Sequence, residues 1–292
     1  MDVSIIIVSY NVCDLLCQCI SSIYDKVTDV SFEVIVVDNA SSDNSVDKIK
    51  QTFPNVKVIA SKVNLGFGKA NGLGVKHSSG KYLFFLNPDT ELINNAVSVL
   101  YLFMETHPNV ALSGANLFTP DLLPNKSYEM FLPGFWDGLA FACNFSIKQN
   151  DDKFNKEEAP KPVVLVGGAD MFMRRTVFDE VGWFDERFFM YFEEPIFSHK
   201  IKRLNMELYS VPSAEIIHYE GASSKKSISS TTFYFFDSFL KYYHIYYPFG
   251  YKILYTLYMI KIKLALLCFS FKKKNEKKSY WEKMNTILKQ NK

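Results

Sequence analysis

The chain of 292 residues is 48% hydrophobic with a formal net charge of +2, which excludes wholesale disorder and allows one large domain or one domain with an appendage. The charge is uneven: residues 242–292 hold eleven Lys and two Glu, a net +9, which leaves −7 on residues 1–241. A mildly acidic body argues against a nucleic-acid binder, and the basic, aromatic end predicts a soluble domain with a surface-seeking tail.

The chain enters an apolar strand by residue 3 with no basic leader region, so no secretion signal is predicted. That strand, VSIIIVSY (3–10), is rich in β-branched residues, as a strand covered on both faces would be. FEVIVVDN (32–39), VKVIA (56–60) and KYLFFLN (81–87) repeat the pattern. Stretches of helical length lie between them, at 12–28, 43–53 and 67–78, the second opened by the N-cap candidates Ser42 and Asp43. This alternation predicts βαβ units, hence a Rossmann-like, mostly parallel central sheet with helices on both faces. NVALSGANLF (109–118) reads as another strand, and the charged, proline-flanked KQNDDKFNKEEAPKP (148–162) as a mobile loop. VVLVGGADMFMRR (163–175) returns to strand character, and a later strand-like run ends in IIHYEG (216–221). Cys13, Cys17, Cys19, Cys143 and Cys268 form no paired CxxC clusters, so they read as small buried thiols in a reducing cytosol and not as a zinc site.

Sheets of this kind bind ligands beyond the carboxyl ends of their strands. Here those ends are polar: Ser9-Tyr10-Asn11, Asp38-Asn39, Asn64-Leu65-Gly66 and Asn87-Pro88-Asp89. Each alone also fits an ordinary turn. Four together predict a binding edge. NLGFGKANGLG (64–74) has neither the GxxxxGK[ST] spacing of a phosphate loop nor the GxGxxG of a nicotinamide site. Its glycines are read instead as letting a helix start approach a ligand or the sheet. In YFEEPIFSHKI, Pro195 fits the first turn of a helix whose apolar side is Ile196, Ile201 and Leu204. Glu193 and Glu194 then sit at its N-terminus, where the macrodipole favours the ionised form a general base needs. A cap with a solvated neighbour is the other reading of that pair, and a structural histidine the other reading of His218. Asp89, at the tip of a buried strand, is suited to hold Mg²⁺ or Mn²⁺ against a diphosphate.

Seven segments in order (VSIIIVSYN, VIVVDNASSD, NLGFGKANGLG, FFLNPDT, GGADMFMRR, GWFDERFFMYFEE and IIHYEGASS) make residues 1–225 resemble a family 2 glycosyltransferase of the GT-A fold, in the bacterial rhamnosyltransferase-like branch. The resemblance implies that Asp38 lies against the nucleoside, with Ser9, Tyr10, Asn64, Gly66 and Asn71 around the nucleotide sugar. It implies that Asn87-Pro88-Asp89 replaces the family's DxD signature, with Asp89 on a divalent metal, Mn²⁺ or Mg²⁺; Asn87 stands where an Asp often sits. The base is implied in the acidic pair, where Glu194 matches it and Glu193 is a second candidate. Ile196 stands where a further acid often follows, which implies that this acid is dispensable or that acceptor contacts differ. His218 falls where relatives place a residue near metal and diphosphate. The implied reaction is an inverting displacement from a nucleotide-sugar donor, dTDP-rhamnose favoured, to a glycan acceptor, polyprenyl-linked, at the inner face of the bacterial cell membrane. A noncatalytic sugar-nucleotide-binding subunit is the alternative, against which the intact Asp89 and Glu193-Glu194 argue. The implied layout is a catalytic domain over 1–230, with a nucleotide-sugar half (1–118) and an acceptor half (119–230), then a helical extension over 231–292.

The tail segment 242–271 is intensely apolar, yet Lys252, Lys261 and Lys263 keep its uninterrupted runs to eight residues. That is short of the roughly 18 expected of a transmembrane helix. Lys252 and Lys261 fall on opposite sides of an ideal helix, so the pattern is not simply amphipathic. Tyrosines, snorkelling lysines and the following KKKNEKK (272–278) predict peripheral contact with an anionic leaflet through residues 242–278. A helical hairpin packed on the catalytic domain or on a second subunit, in a homo-oligomer, is the other reading.

Overall fold

The computed structural model describes residues 1–145, 152–220, 228–269 and 276–292. In chain order the elements are β1 (Val3–Ser9), α1 (Cys13–Lys26), β2 (Phe32–Asp38), α2 (Ser45–Thr52), β3 (Lys57–Ala60), α3 (Gly66–Lys76), β4 (Tyr82–Leu86), β5 (Thr90–Leu92), α4 (Ala96–Thr106), β6 (Val110–Phe118), β7 (Tyr128–Glu129) and α5 (Phe135–Ala142). Then come β8 (Lys161–Val163), β9 (Leu165–Val166), β10 (Asp170–Arg174), α6 (Arg175–Val181), α7 (Glu193–Arg203), β11 (Glu207–His218), α8 (Ile228–Tyr246), α9 (Pro248–Phe269) and α10 (Glu276–Gln290). The described residues divide into two compact units, one of 1–132, 152–186 and 193–220, the other of 133–145, 187–192, 228–269 and 276–292.

The first unit is a mixed sheet in the order β3-β2-β1-β4-β10-β6-β11-β5, with β8 also on β11 and β7 paired separately with β9. The four strands β3-β2-β1-β4 are parallel, as the βαβ alternation predicts. Ile5, Ile6 and Ile7 of β1 are all fully buried, which explains its unbroken apolar run. Ile5 and Ile7 face Leu16 and Ile20 of α1, while Ile6 faces Val75 of α3 and the Phe178 and Phe197 side of the sheet. Each such side chain contributes about 1.5–3 kcal/mol on burial. Strand β10 departs from the parallel pattern, lying antiparallel between β4 and β6. Between β6 and β10 the chain carries β7, α5, β8 and β9.

Three local expectations change. Helix α2 begins at Ser45 with Asn44 as its N-cap, two residues after the predicted start. Asp43 instead accepts from Ser45 N (3.1 Å) and Cys13 N (3.1 Å), tying the starts of two helices together. The predicted mobile loop is pinned where it is described: Asn155 is buried and its carbonyl accepts from Asn116 Nδ2 at 2.7 Å. Residues 148–151 of that stretch lie outside the described residues. The glycines of α3 do bring the helix close to the sheet, but along its body as well as at its start: a Cβ on Gly74 would meet Ile6 of the sheet at 2.5 Å, and one on Gly68 would meet Phe184 at 2.8 Å.

Arg174 and Arg175 close the amino edge of the sheet. Arg174 donates to Val110 O (2.7 Å), His107 O (2.9 Å) and Tyr82 Oη (2.9 Å), and Arg175 to Gly80 O (2.6 Å) and Ser78 Oγ (2.7 Å).

The second unit is helical and aromatic. Helix α9 turns Tyr251, Leu254, Tyr258 and Ile262 inward at spacings of three and four. Tyr258 packs against Phe236 of α8 with ring centroids 4.9 Å apart. Tyr243 donates to Gly134 O (2.9 Å), and burial pushes its phenol above the ordinary tyrosine range. Among the described residues no helix is long and apolar enough to cross a membrane. Residues 272–275 of the predicted basic segment lie outside the described residues.

Candidate active site

The carboxyl ends of β1, β2 and β4 form a polar rim on the first unit. Ser9 and Asp38 are register partners at the ends of β1 and β2, and both are buried. Asp38 Oδ2 accepts from Ser41 N at 3.0 Å, whereas Asp38 Oδ1 and Ser9 Oγ are buried without a hydrogen-bond partner among the described residues. Buried polar atoms of this kind call for a partner, such as water, an ion or a ligand. Tyr10 beside them is exposed. Asn39 ties β2 to the α3 loop by accepting from Leu65 N (2.8 Å) and donating to Gly66 O (3.0 Å). Asn64 accepts from Gly66 N (2.9 Å), and Gly66 takes φ +78°, a conformation that suits glycine. Asn71 is buried one turn into α3, where its Nδ2 donates to Phe67 O at 3.1 Å.

At the tip of β4, Asn87 N donates to Ala169 O (2.9 Å) and Asn87 O accepts from Thr90 Oγ1 (2.7 Å), so the Asn87-Pro88-Asp89 turn is fixed. Strand β5 then pairs antiparallel with the end of β11, His218 opposite Thr90. That pairing brings the His218 Nε2 to 3.5 Å from Asp89 Oδ1, across 129 residues of chain. Both side chains are largely buried, and Asp89 O accepts from Tyr219 N (2.9 Å). Behind them Glu91 accepts from Gln18 Nε2 (2.6 Å) and Tyr219 Oη (2.7 Å), a brace no local pattern announces. Cys19 Sγ lies 3.5 Å from Thr90 Oγ1, and burial pushes its thiol up to about 12, so it stays protonated and structural.

The acidic pair opens α7, with Pro195 in its first turn as expected. Tyr191 (φ +73°) and Phe192 (φ +70°) precede it in the left-handed region, which costs about 1–2 kcal/mol per residue for bulky side chains. Burial raises the Glu194 carboxyl above its ordinary range, opposed by the backbone N–H groups of Glu194 and Gly168 and by the charge of Lys126. A Cβ on Gly168 would fall 2.3 Å from Glu194 Oε1. Glycine is needed there for close approach. Glu193 is buried beside it.

These strand ends and the acidic pair belong to a chain whose family is shown by sequence. The Glycosyl transferase family 2 model matches residues 4–182. The chain belongs to this glycosyltransferase family. Its similar relatives include the low-salt glycan biosynthesis hexosyltransferase Agl10 of Haloferax volcanii, 27% identical over 80% of this chain and 72% of that protein. The N-acetylglucosaminyl-diphospho-decaprenol L-rhamnosyltransferase of Mycobacterium tuberculosis is 24% identical over 70% and 71% of the two chains, and the rhamnosyltransferase WbbL of Escherichia coli is 27% identical over 74% and 83%. Among solved structures, GalNAc-T7 with UDP, GalNAc and Mn²⁺ superposes with a TM-score of 0.62 at 16% identity, covering 97% of this chain and 55% of that one. Staphylococcus aureus TarS 1–349 gives 0.55 at 16% identity, covering 100% and 81%. The fold of this transferase is GT-A, with a C-terminal helical extension.

Two groups of this glycosyltransferase were not singled out in its sequence. Gly168 is one. Asp170 is the other: it is fully buried at the start of β10, opposite Leu86, with Oδ2 accepting from Ala115 N at 2.5 Å and Oδ1 without a hydrogen-bond partner among the described residues. Burial raises its carboxyl well above the ordinary range. The GGAD tetrapeptide carried both signals, a doubled glycine and an acid inside an apolar run.

Proposed function

We propose that this glycosyltransferase moves a sugar, rhamnose favoured, from a nucleotide-sugar donor to a hydroxyl of a lipid-linked or surface-polysaccharide acceptor with inversion. The observation that carries the reading is the 3.5 Å approach of His218 to Asp89 at the tip of a buried sheet. The carboxylate suits Mn²⁺ or Mg²⁺, and the imidazole beside it favours Mn²⁺ of the two. No group of three or more His, Cys, Asp or Glu among the described residues is arranged to hold a metal. Asp89 and His218 would hold the cation, which supplies positive charge to the diphosphate when bound.

The chain's own groups account for the rest. Asp38, Ser9, Tyr10, Asn64, Gly66 and Asn71 bind and orient the nucleotide sugar, with Asn87 at the diphosphate end. Glu194 takes the proton of the acceptor hydroxyl as its oxygen bonds to the anomeric carbon and the bond to the diphosphate oxygen breaks; Glu193 is the second candidate. A base acting directly, without a covalent intermediate, gives inversion. Glu194 suits the role because burial raises its carboxyl, making it a stronger base than an exposed one. Two relatives are named rhamnosyltransferases and one of these names a decaprenol-linked substrate, which supports a polyprenyl-linked acceptor met at the inner membrane face through residues 242–278. The catalytic domain is taken as residues 1–230, donor half first, and the extension as 231–292.

Calorimetry with Mn²⁺ tests this, comparing dTDP-rhamnose with UDP-, GDP- and CMP-sugars for wild type and Asp89→Ala. Metal-dependent binding of one donor that Asp89→Ala abolishes is expected. Equal binding by Asp89→Ala would remove the metal assignment, and binding of a different nucleotide sugar would remove rhamnose.

A further inference from the structure

Helix α9 is apolar on two opposite faces. Its inward row packs inside the helical unit. Facing the other way, Phe249, Ile253, Ile260 and Leu264 are 87%, 52%, 48% and 57% exposed. At 3.6 residues per turn the two rows lie about 180° apart, and the outer row runs for about 22 Å. Lys252 and Lys263, both exposed, fall together along one side of it. Lys261 falls on the other side and is held by Ala142 O (3.2 Å) and Asn144 Oδ1 (2.9 Å). The helix has no Asp or Glu. At its start the Phe135 ring abuts Gly250, and Trp136, 71% exposed, lies 5.3 Å from Phe135.

We infer that the outer face of α9 is a lipid-contact surface that lies in the plane of an anionic bilayer, a specific form of the membrane contact proposed above and resting on it. The charge selects the occupant. Lys252 and Lys263 meet anionic headgroups with their stems along the apolar row. A second copy seated on the same face would bring lysines together with no carboxylate of α9 to meet them. Because α9 is not long and apolar enough to cross a membrane, the proposed contact runs along the bilayer surface. Trp136 and Phe249, open at one end of the row, are suited to the headgroup boundary.

The test is co-sedimentation of the full chain with vesicles of phosphatidylcholine alone and of phosphatidylcholine mixed with phosphatidylglycerol. Wild type is expected on the mixed vesicles, more weakly at high salt. Ile260→Glu with Leu264→Glu is expected to weaken binding by about tenfold or more, with an unchanged melting temperature. Lys252→Gln with Lys263→Gln should lose the preference for anionic lipid. The inference is overturned if wild type ignores the mixed vesicles, if the Glu pair binds like wild type, or if wild type sediments as a dimer that the Glu pair splits. Donor calorimetry on the same preparations separates the two readings, because failure to bind any nucleotide sugar leaves the vesicle result standing.

Discussion

The sheet unit and the helical unit use apolar residues in opposite ways. In the sheet, Ile5, Ile6, Ile7 and Phe84 are sealed on both faces, and at the rim Ser9 Oγ and Asp38 Oδ1 are buried with no hydrogen-bond partner among the described residues. In the helical unit, α9 buries one apolar row and leaves another open. The contrast teaches where to look for function. In a sealed core the informative residue is the polar one, and on a helix already satisfied on one side it is the apolar one left outside.

The largest effect that would sharpen this contrast is at the rim. Glu194→Gln should lower transfer by about 10²–10⁴-fold with donor affinity kept, read as kcat against donor Kd. Its pH dependence follows from the raised carboxyl. Wild-type kcat/KM should fall as pH drops through a pKa above the ordinary glutamate value, because the base must be ionised. Stability runs the other way, since the folded state holds the proton more tightly and loses that advantage as pH rises from the ordinary value through the raised one. Retention of activity by the Gln variant would move the base to Glu193.

An intermediate effect compares neighbours on α9. Leu254 is fully buried, so Leu254→Ala should cost about 2–5 kcal/mol, while Ile253→Ala should stay within about 0.5 kcal/mol in the same denaturant titration. Equal losses would mean that the outer row is structural. The smallest effect concerns Asp170. Asp170→Asn keeps an acceptor for Ala115 N and removes a buried ionisable group, so it should raise Tm at neutral pH by about 2–4 °C. The gain should shrink below pH 4, where Asp170 is protonated in both states.

Much of the sheet was legible because β1, β2 and β4 are short apolar runs with polar ends, and burial on both faces writes that pattern directly into sequence. Pro195 marked the start of α7 for a similarly local reason. What local pattern left open was pairing over distance. Nothing near His218 announces Asp89; their meeting depends on the three-residue strand β5 joining the end of β11, and only family resemblance had linked them. The antiparallel insertion of β10 depends on the path of the chain before it, which composition does not record. Asn44 displaced Ser42 and Asp43 as the α2 cap because Asp43 is drawn toward α1. The two faces of α9 were hidden by their own symmetry, since apolar rows on opposite sides cancel any one-sided pattern.

The arginine clamp has a consequence for how such a molecule changes. Arg174 and Arg175 tie the carbonyls of Val110, His107 and Gly80 at the amino edge of the sheet, away from the strand tips that carry the candidate chemistry. Fastening and the proposed recognition therefore sit on opposite edges. Loops at the carboxyl edge are free to be rewritten for another donor while the strands beneath them stay in register.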